Sequence, residues 1–426
     1  MATKPTKFTI RMYNVGFGDC FLLTFHYAKP LRDQHILIDF GSVGGKADLR
    51  AIASDIKEVT GGKLYSVIAT HRHRDHISGF SDAAGKDSPG AIIASCKPEV
   101  VLQPWTENPD AAANATSAPL LSKKKSVNDQ KLFFASLTAM NAFAEAVLEQ
   151  APRWRGLGGR ATTLEKVAAN NVSNPDAVKN LGKMGRRPPR FLQYGSPSGL
   201  ENPKLLPGVK VRVLGPPTLK EQNIKKYAKK SDEYWLSCKF WGLQQSAARL
   251  AGNSNLFSGQ PHYSKRSQPF QMRWFTQHAD AALRSNVLGI VTALDNFLNN
   301  TSLILLFEIN GKKFLFPGDA QWENWSWALS KPDTRNLLKK VDVYKVGHHG
   351  SRNATPKQLW TLFDKRKCNG GPGVLKTMLS TTSGVYARTE EGKVPAAALL
   401  KALRKESQLS NTQDLKRGRG PIILEF

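Results

Sequence analysis

Residues 64–79 read LYSVIATHRHRDHISG, and the reading of the fold turns on them. Leu64–Thr70 is a short apolar run with β-branched side chains, which predicts a buried strand. The run leads straight into His71, His73, Asp75 and His76, with Arg72 and Arg74 between them. Three imidazoles and a carboxylate at one strand end can converge on a cleft, and both groups suit borderline transition metals such as Zn²⁺ or Mn²⁺. A solvated His-rich loop is the plain alternative. Four donors within residues 71–76, in a chain with 9 histidines, weigh against it.

Two distant segments repeat the pattern of chemistry at a strand end. Leu303–Ile309 and Lys313–Phe316 predict a hairpin through Asn310-Gly311, and its second strand ends in Pro317-Gly318-Asp319. Val341–Val346 predicts a strand that ends in Gly347-His348-His349-Gly350-Ser351. Nearer the start, Lys7–Tyr13, Cys20–His26 and His35–Asp39 read as strands, with a Gly-rich turn over Asn14–Asp19. Asp48–Thr60 has helical spacing, with Leu49, Ile52, Ile56 and Val59 on one face and Gly61-Gly62 to end it. Strands alternating with helices predict an α/β layered domain. No internal repeat is visible.

At these positions the chain resembles the metallo-β-lactamase fold superfamily, whose HxHxDH signature is written here as HRHRDH at 71–76. LIDFG around Asp39, FPGDA at 316–320 and YKVGHHGS at 344–351 resemble its other strand-end motifs. YNVGFGDC at 13–20, NNTSLIL at 299–305 and the HHGS motif are similar to domains like the C-terminal nuclease domain of the bacterial DNA-uptake (competence) channel. The resemblance spans residues 1–105, 208–217 and 288–390.

The resemblance implies an α/β fold of a particular kind, the αββα metallo-β-lactamase sandwich. One domain would span 1–426, with two basic, largely helical insertions at 106–206 and 218–287. It also implies two divalent metal ions, Zn²⁺ or Mn²⁺. His71 and His73 would hold one, Asp75 and His76 the other, and Asp319 would bridge them. His348 or His349 would complete the second site, with His348 favoured because it follows its strand directly. Asp39 would support the metal loop. The superfamily's further His for the first site has no clear counterpart, and Asn299–Ser302 stands near its place. His262 and His278 read as ordinary histidines of the second insertion. The related group's late Tyr-Gly-His-Pro is absent, since Tyr386 is followed by Ala387-Arg388. The implied chemistry is hydrolysis by a metal-activated water, with Asp75 to orient it and His348 or His349 to protonate the leaving oxygen.

Such a site serves phosphodiesters, lactams, lactones and thioesters alike, and charge helps to choose among them. The chain carries 61 lysines and arginines against 34 aspartates and glutamates, a formal net charge of +27. Cations outnumber acids by 14 to 8 in 106–206, 11 to 4 in 218–287 and 19 to 8 in 331–426. Lys123–Lys125, Arg186–Arg190, Lys225–Lys230 and Lys416–Arg419 are candidate phosphate contacts, and Trp154, Tyr227, Trp235 and Trp274 interleave with cations. Cations beside stacking rings are how single strands are held without sequence preference. Nucleic acid is therefore the expected partner, and a phosphodiesterase or nuclease on DNA or RNA the expected activity. The alternative is a small-molecule hydrolase of the same fold, acting on a lactone, thioester, phosphocholine ester or nucleotide. A binding component with a vestigial metal site is the third reading, and the intact HRHRDH argues against it.

Composition excludes other classes. Hydrophobic residues at 40% and aromatics at 9% rule out a mainly disordered chain. Cys20, Cys96, Cys238 and Cys368 lie too far apart for a CxxC knuckle or a disulfide scaffold. The first residues hold no apolar signal core, and the longest apolar runs are strand-sized. A reducing, cytoplasmic setting without a membrane partner is expected, and the oligomeric state stays open.

Overall fold

Alternation sets the first hairpin. In β1 (Lys7–Met12), Phe8, Ile10 and Met12 share one face, and Thr9 and Arg11 take the other. In β2 (Cys20–His26), Phe21, Leu23 and Phe25 join the same cluster, while Cys20 and Leu22 face away into another. The computed structural model that shows this describes residues 3–44, 47–108, 174–218, 298–367, 373–382, 394–415 and 420–426.

The described residues form a mixed α/β structure with two mixed sheets. The first continues with β3 (Gln34–Phe40), β4 (Ser66–Ile68), β5 (Val100–Pro104) and β6 (Arg190–Leu192). Its β1–β3 are antiparallel and β3–β6 parallel. The second holds β7 (Val209–Gly215), β8 (Ile304–Ile309), β9 (Lys312–Phe316), β10 (Val343–Lys345), β11 (Lys376–Leu379) and β12 (Gln408–Asn411). There β7–β9 are antiparallel and β9–β12 parallel. Both sheets thus run in sequence order with the same change of direction at the third strand. β13 (Ile422–Glu425) pairs with the outer side of β1 and makes the first sheet seven-stranded. The β8–β9 turn is the expected one, with Asn310 at φ 50° and Gly311 at φ 78° between paired Ile309 and Lys312.

Three apolar clusters hold these elements together. One draws on both sheets, with Phe8, Phe21, Ile36, Phe307, Phe314 and Met378 among its members. A second joins the other face of the first sheet to helices α1 (Leu49–Val59), α3 (Pro89–Ser95) and α4 (Pro175–Lys183). Between α1 and α3 in the chain, α2 (Arg74–Ile77) is a single turn that carries metal-loop residues. The third cluster joins the other face of the second sheet to α5 (Trp322–Leu329), α6 (Pro332–Lys339), α7 (Lys357–Leu362) and α8 (Ala397–Glu406). α1 shows how the sequence encodes this. Its Ala53 and Ile56 are buried and Leu49, Ile52 and Val59 pack beside them, while the Asp48 carboxylate accepts from Ala51 N at 2.9 Å and caps its first turn.

One boundary differs from the sequence reading. Residues 174–206 fall within the expected insertion 106–206, yet β6 extends the first sheet and α4 buries Ala177 and Leu181 against it. A three-residue strand beside Arg186-Arg187-Pro188-Pro189 carries no periodic signal, so basic composition masks it. Lys123–Lys125, Lys225–Lys230 and Lys416–Arg419 lie outside the described residues, as do Trp154, Tyr227, Trp235, Trp274, His262, His278, Tyr386, Cys238 and Cys368. Among the described residues no helix is long and apolar enough to cross a membrane. Cys20 and Cys96 are buried free thiols.

Candidate metal centre

The strand-end residues meet at the carboxyl ends of β3, β4, β9 and β10. Ligand atoms of Asp75, His76, Asp319 and His349 all lie within 4.8 Å of one another, and so do those of His71, His73 and Asp75. All six of these side chains are buried.

The metal loop is held from below by Asp39. One of its carboxylate oxygens accepts from Thr70 N at 2.7 Å. The other accepts from Thr70 Oγ1 at 2.7 Å and lies 2.8 Å from His76 Nδ1. Donation of the Nδ1 proton to Asp39 leaves the lone pair of a neutral His76 on Nε2. His349 is arranged likewise, with Nδ1 2.9 Å from the Ser380 carbonyl and Nε2 3.0 Å from Asp75 Oδ2.

Glycines bring the backbone close. A Cβ on Gly41 would meet Asp75 C and His76 N at 2.5 Å, and one on Gly18 would collide with Gly41 O. The turn at 13–19 therefore closes on the metal loop, where Asp19 N donates to Asp75 O at 3.0 Å. Strain also gathers here. Asp39, His348 and His349 have φ of 53°, 43° and 51°, a region that non-glycine residues occupy at a cost of about 1–3 kcal/mol each.

The strand-end argument favours His348, but the structure brings His349 into the cluster. The successive left-handed residues after β10 turn the His349 ring inward to full burial and leave His348 half-buried. His348 instead donates its backbone N–H to Asp319 Oδ1 at 3.1 Å, and its Nδ1 is 3.3 Å from Gln321 Nε2. Asp75, not Asp319, belongs to both ligand groups, because Asp319 Oδ1 is turned toward Lys345 Nζ at 3.3 Å and the His348 N–H. Asn299–Ser302 does abut the site, with Ser302 Oγ accepting from Asp319 N at 3.2 Å.

Two participants escaped the sequence reading. Lys345 is buried, with Nζ against Asp19 Oδ2 and 3.0 Å from the Gly318 carbonyl. Asp19, Asp39 and His76 form a further group of potential ligands. Both residues stand inside quoted motifs, YNVGFGDC and YKVGHHGS, but a lysine within a strand and an aspartate in a turn usually face water.

The electrostatics ask for more positive charge. Asp19, Asp39, Asp75 and Asp319 are each at most 1% exposed, and Lys345 is the one lysine or arginine in ion-pair contact with any of them among the described residues. Burial raises the Asp75 pKa, but the His76 charge and the His349 hydrogen bond outweigh it and hold it at about 2. Burial likewise opposes ionisation of Asp319, yet His76, Lys345 and His349 hold it well below the carboxylate range. Burial works against a charged His76, while Asp319, Asp39 and Asp75 raise it well above the usual histidine value. Burial and the neighbouring His76 and His73 push His71 well below that value.

These residues fit a divalent ion. His76 Nε2 and Asp319 Oδ2 are buried and face each other across 3.1 Å without hydrogen-bond geometry. A cation between them satisfies both acceptors and offsets the carboxylates, and imidazole with carboxylate is a donor set for Zn²⁺ or Mn²⁺.

The described ends of the two basic stretches root at this centre. Arg72 Nε donates to Glu107 Oε2 at 2.7 Å, just before residues 109–173. Trp105 Nε1 donates to the Pro217 carbonyl at 3.1 Å, just before 219–297. At the far end of that stretch, Asn300 Oδ1 accepts from Gln321 N at 3.2 Å, two residues after Asp319. A scan of the chain against protein-family models and a search of the curated proteins find no match.

Proposed function

We propose that this protein is a metal-dependent hydrolase of the metallo-β-lactamase superfamily, acting as a phosphodiesterase or nuclease on DNA or RNA. The observation that carries the reading is the convergence of Asp75, His76, Asp319 and His349 within 4.8 Å, from strand ends of both sheets. The αββα sandwich of that superfamily is supported by the three apolar clusters, one between the sheets and one under the helices of each. Asp75, His76, Asp319 and His349 would hold one ion, and His71, His73 and Asp75 a second. When bound, two divalent ions supply an activated water and positive charge against developing oxyanions.

The chain's own residues do the rest. Asp39 and the Ser380 carbonyl fix the ring orientation of His76 and His349. Lys345 keeps positive charge beside Asp19 and Asp319. His348, half-buried at the edge of the cluster, would pass a proton to a leaving oxygen. Nucleic acid is favoured as substrate because stretches 109–173, with 8 cations against 5 acids, and 219–297, with 11 against 5, root beside the metal loop and Asp319.

The test is incubation with linear DNA, circular DNA, RNA and a small uncharged ester, with Mn²⁺, Mg²⁺ or Zn²⁺ and over a range of salt. Nucleic-acid cleavage that falls steeply with salt, and weakens when Lys225, Lys226, Lys229 and Lys230 become Ala, supports the proposal. Strong turnover of the ester alone moves the assignment to a small-molecule hydrolase.

A further inference from the structure

A second feature lies at the other end of the first sheet. β3 begins at Gln34 and reaches Asp39 near its end, so His35 sits four residues, roughly 13 Å of strand, from the carboxylate under the metal loop. Beside His35, past the last turn of α1, the structure has a cavity of about 370 Å³. Arg11, Arg32 and Lys63 line it.

None of these three side chains has a hydrogen bond or an ion pair among the described residues. Arg11 Nη1 is buried and without a partner. A guanidinium N–H cut off from water and left without an acceptor is costly. Asp33 is the one carboxylate lining the cavity, and it is engaged elsewhere. Its Oδ2 is 2.5 Å from His26 Nδ1, and its Oδ1 accepts from Tyr27 N at 3.2 Å. The floor is polar but uncharged. Thr24 Oγ1 is 3.0 Å from His35 Nδ1, and burial pushes His35 down to about 4, so its ring is neutral at neutral pH.

We propose that this cavity is a phosphate-binding site, with the half-buried Arg11, whose Nη1 is cut off from water, as its anchor and Arg32 and Lys63 closing on the remaining oxygens. Three cations outnumber the one lining carboxylate, an excess that suits a dianion better than a single carboxylate, and the planar fork of arginine matches phosphate oxygens. The cavity has room for a group attached to the phosphate. Free inorganic phosphate and the phosphate monoester of a nucleotide are both sources of this chemistry.

Calorimetric titration of the full chain tests this, first with inorganic phosphate and then with uridine 5′-monophosphate, under a chelator so that no metal ion mediates binding. Saturable binding is expected, with the monophosphate tighter if the nucleoside fills the remaining space and equal if the phosphate alone is held. Arg11→Gln should lose roughly tenfold or more in affinity, the scale of a charge-assisted hydrogen bond. Arg32→Ala/Lys63→Ala changes two exposed residues and should weaken binding comparably without disturbing the fold. Hydrogen exchange should show ligand protection at 24–35 and 60–63. Unchanged affinity in the double variant, or protection confined to the metal loop, overturns the proposal.

Discussion

The six strands β1–β6 and the six strands β7–β12 follow one topology and carry their chemistry differently. The first run places four donors in one loop after β4, at His71, His73, Asp75 and His76. The second gives one residue per strand end, Asp319 after β9 and His349 after β10. Their β-hairpin connections differ too. The link from β1 to β2 is a short glycine turn pressed on the metal loop, whereas the β7–β8 link contains the basic stretch 219–297. One topology thus carries a contiguous cluster of potential ligands in one half, and single ones beside the Lys345 counter-charge in the other. Strand ends fix where side chains go, and loops decide how many arrive.

If that division is right, the second half is the fragile one, since each of its contributions stands alone. Asp319→Ala or His349→Ala should abolish hydrolysis and strip metal, exceeding the ~10–100-fold loss typical of an outer partner. Elemental analysis beside activity checks this, and a variant that keeps its metal would break the comparison.

Lys345→Met should be the largest stability effect. It leaves Asp19 and Asp319 buried without their ammonium, a loss of about 3–5 kcal/mol in metal-free protein. Bound ions offset the same carboxylates, so the loss should shrink on metal loading. Urea unfolding in both states measures the difference. Asp39→Ala, in the first half, should cost about 10–100-fold in metal affinity while the loop retains its other donors.

The pH dependence of metal-free protein follows from opposite shifts. Asp75 is depressed to about 2 from 3.8, so its contribution is present above the higher value and lost as pH falls through the lower. His76 is raised, so its contribution is full below 6.5 and lost as pH rises through its elevated pKa. Unfolding followed across pH should therefore show stability falling on both flanks. A shallower alkaline flank in His76→Gln would confirm its share, with the rest left to His349, which its carboxylate neighbours also raise. The smallest effect belongs to the exposed pair Arg186–Glu99, where Arg186→Ala should cost under about 1 kcal/mol and leave metal content unchanged.

Local signals were legible in both halves of the chain. β2 falls at its expected residues, and α1 and the Asn310-Gly311 turn at theirs, because period and turn chemistry are local. HRHRDH is legible since its donors are contiguous. The choice between His348 and His349 was not, because it depends on two successive left-handed backbone conformations that composition does not announce. Lys345 was hidden for another reason. A lysine within a strand reads as a solvated edge, and the approach of Asp19 from the opposite sheet, with Asp319 and the Gly318 carbonyl, explains its burial. β6 and α4 were obscured by the basic residues around them.

The most direct test of the central claim is DNA or RNA cleavage by chelator-stripped protein, before and after Mn²⁺ or Zn²⁺ is restored. The account predicts no cleavage without the ion, recovery with it, and no recovery in Asp319→Asn. Cleavage that persists through chelation, or that Asp319→Asn retains, would contradict it.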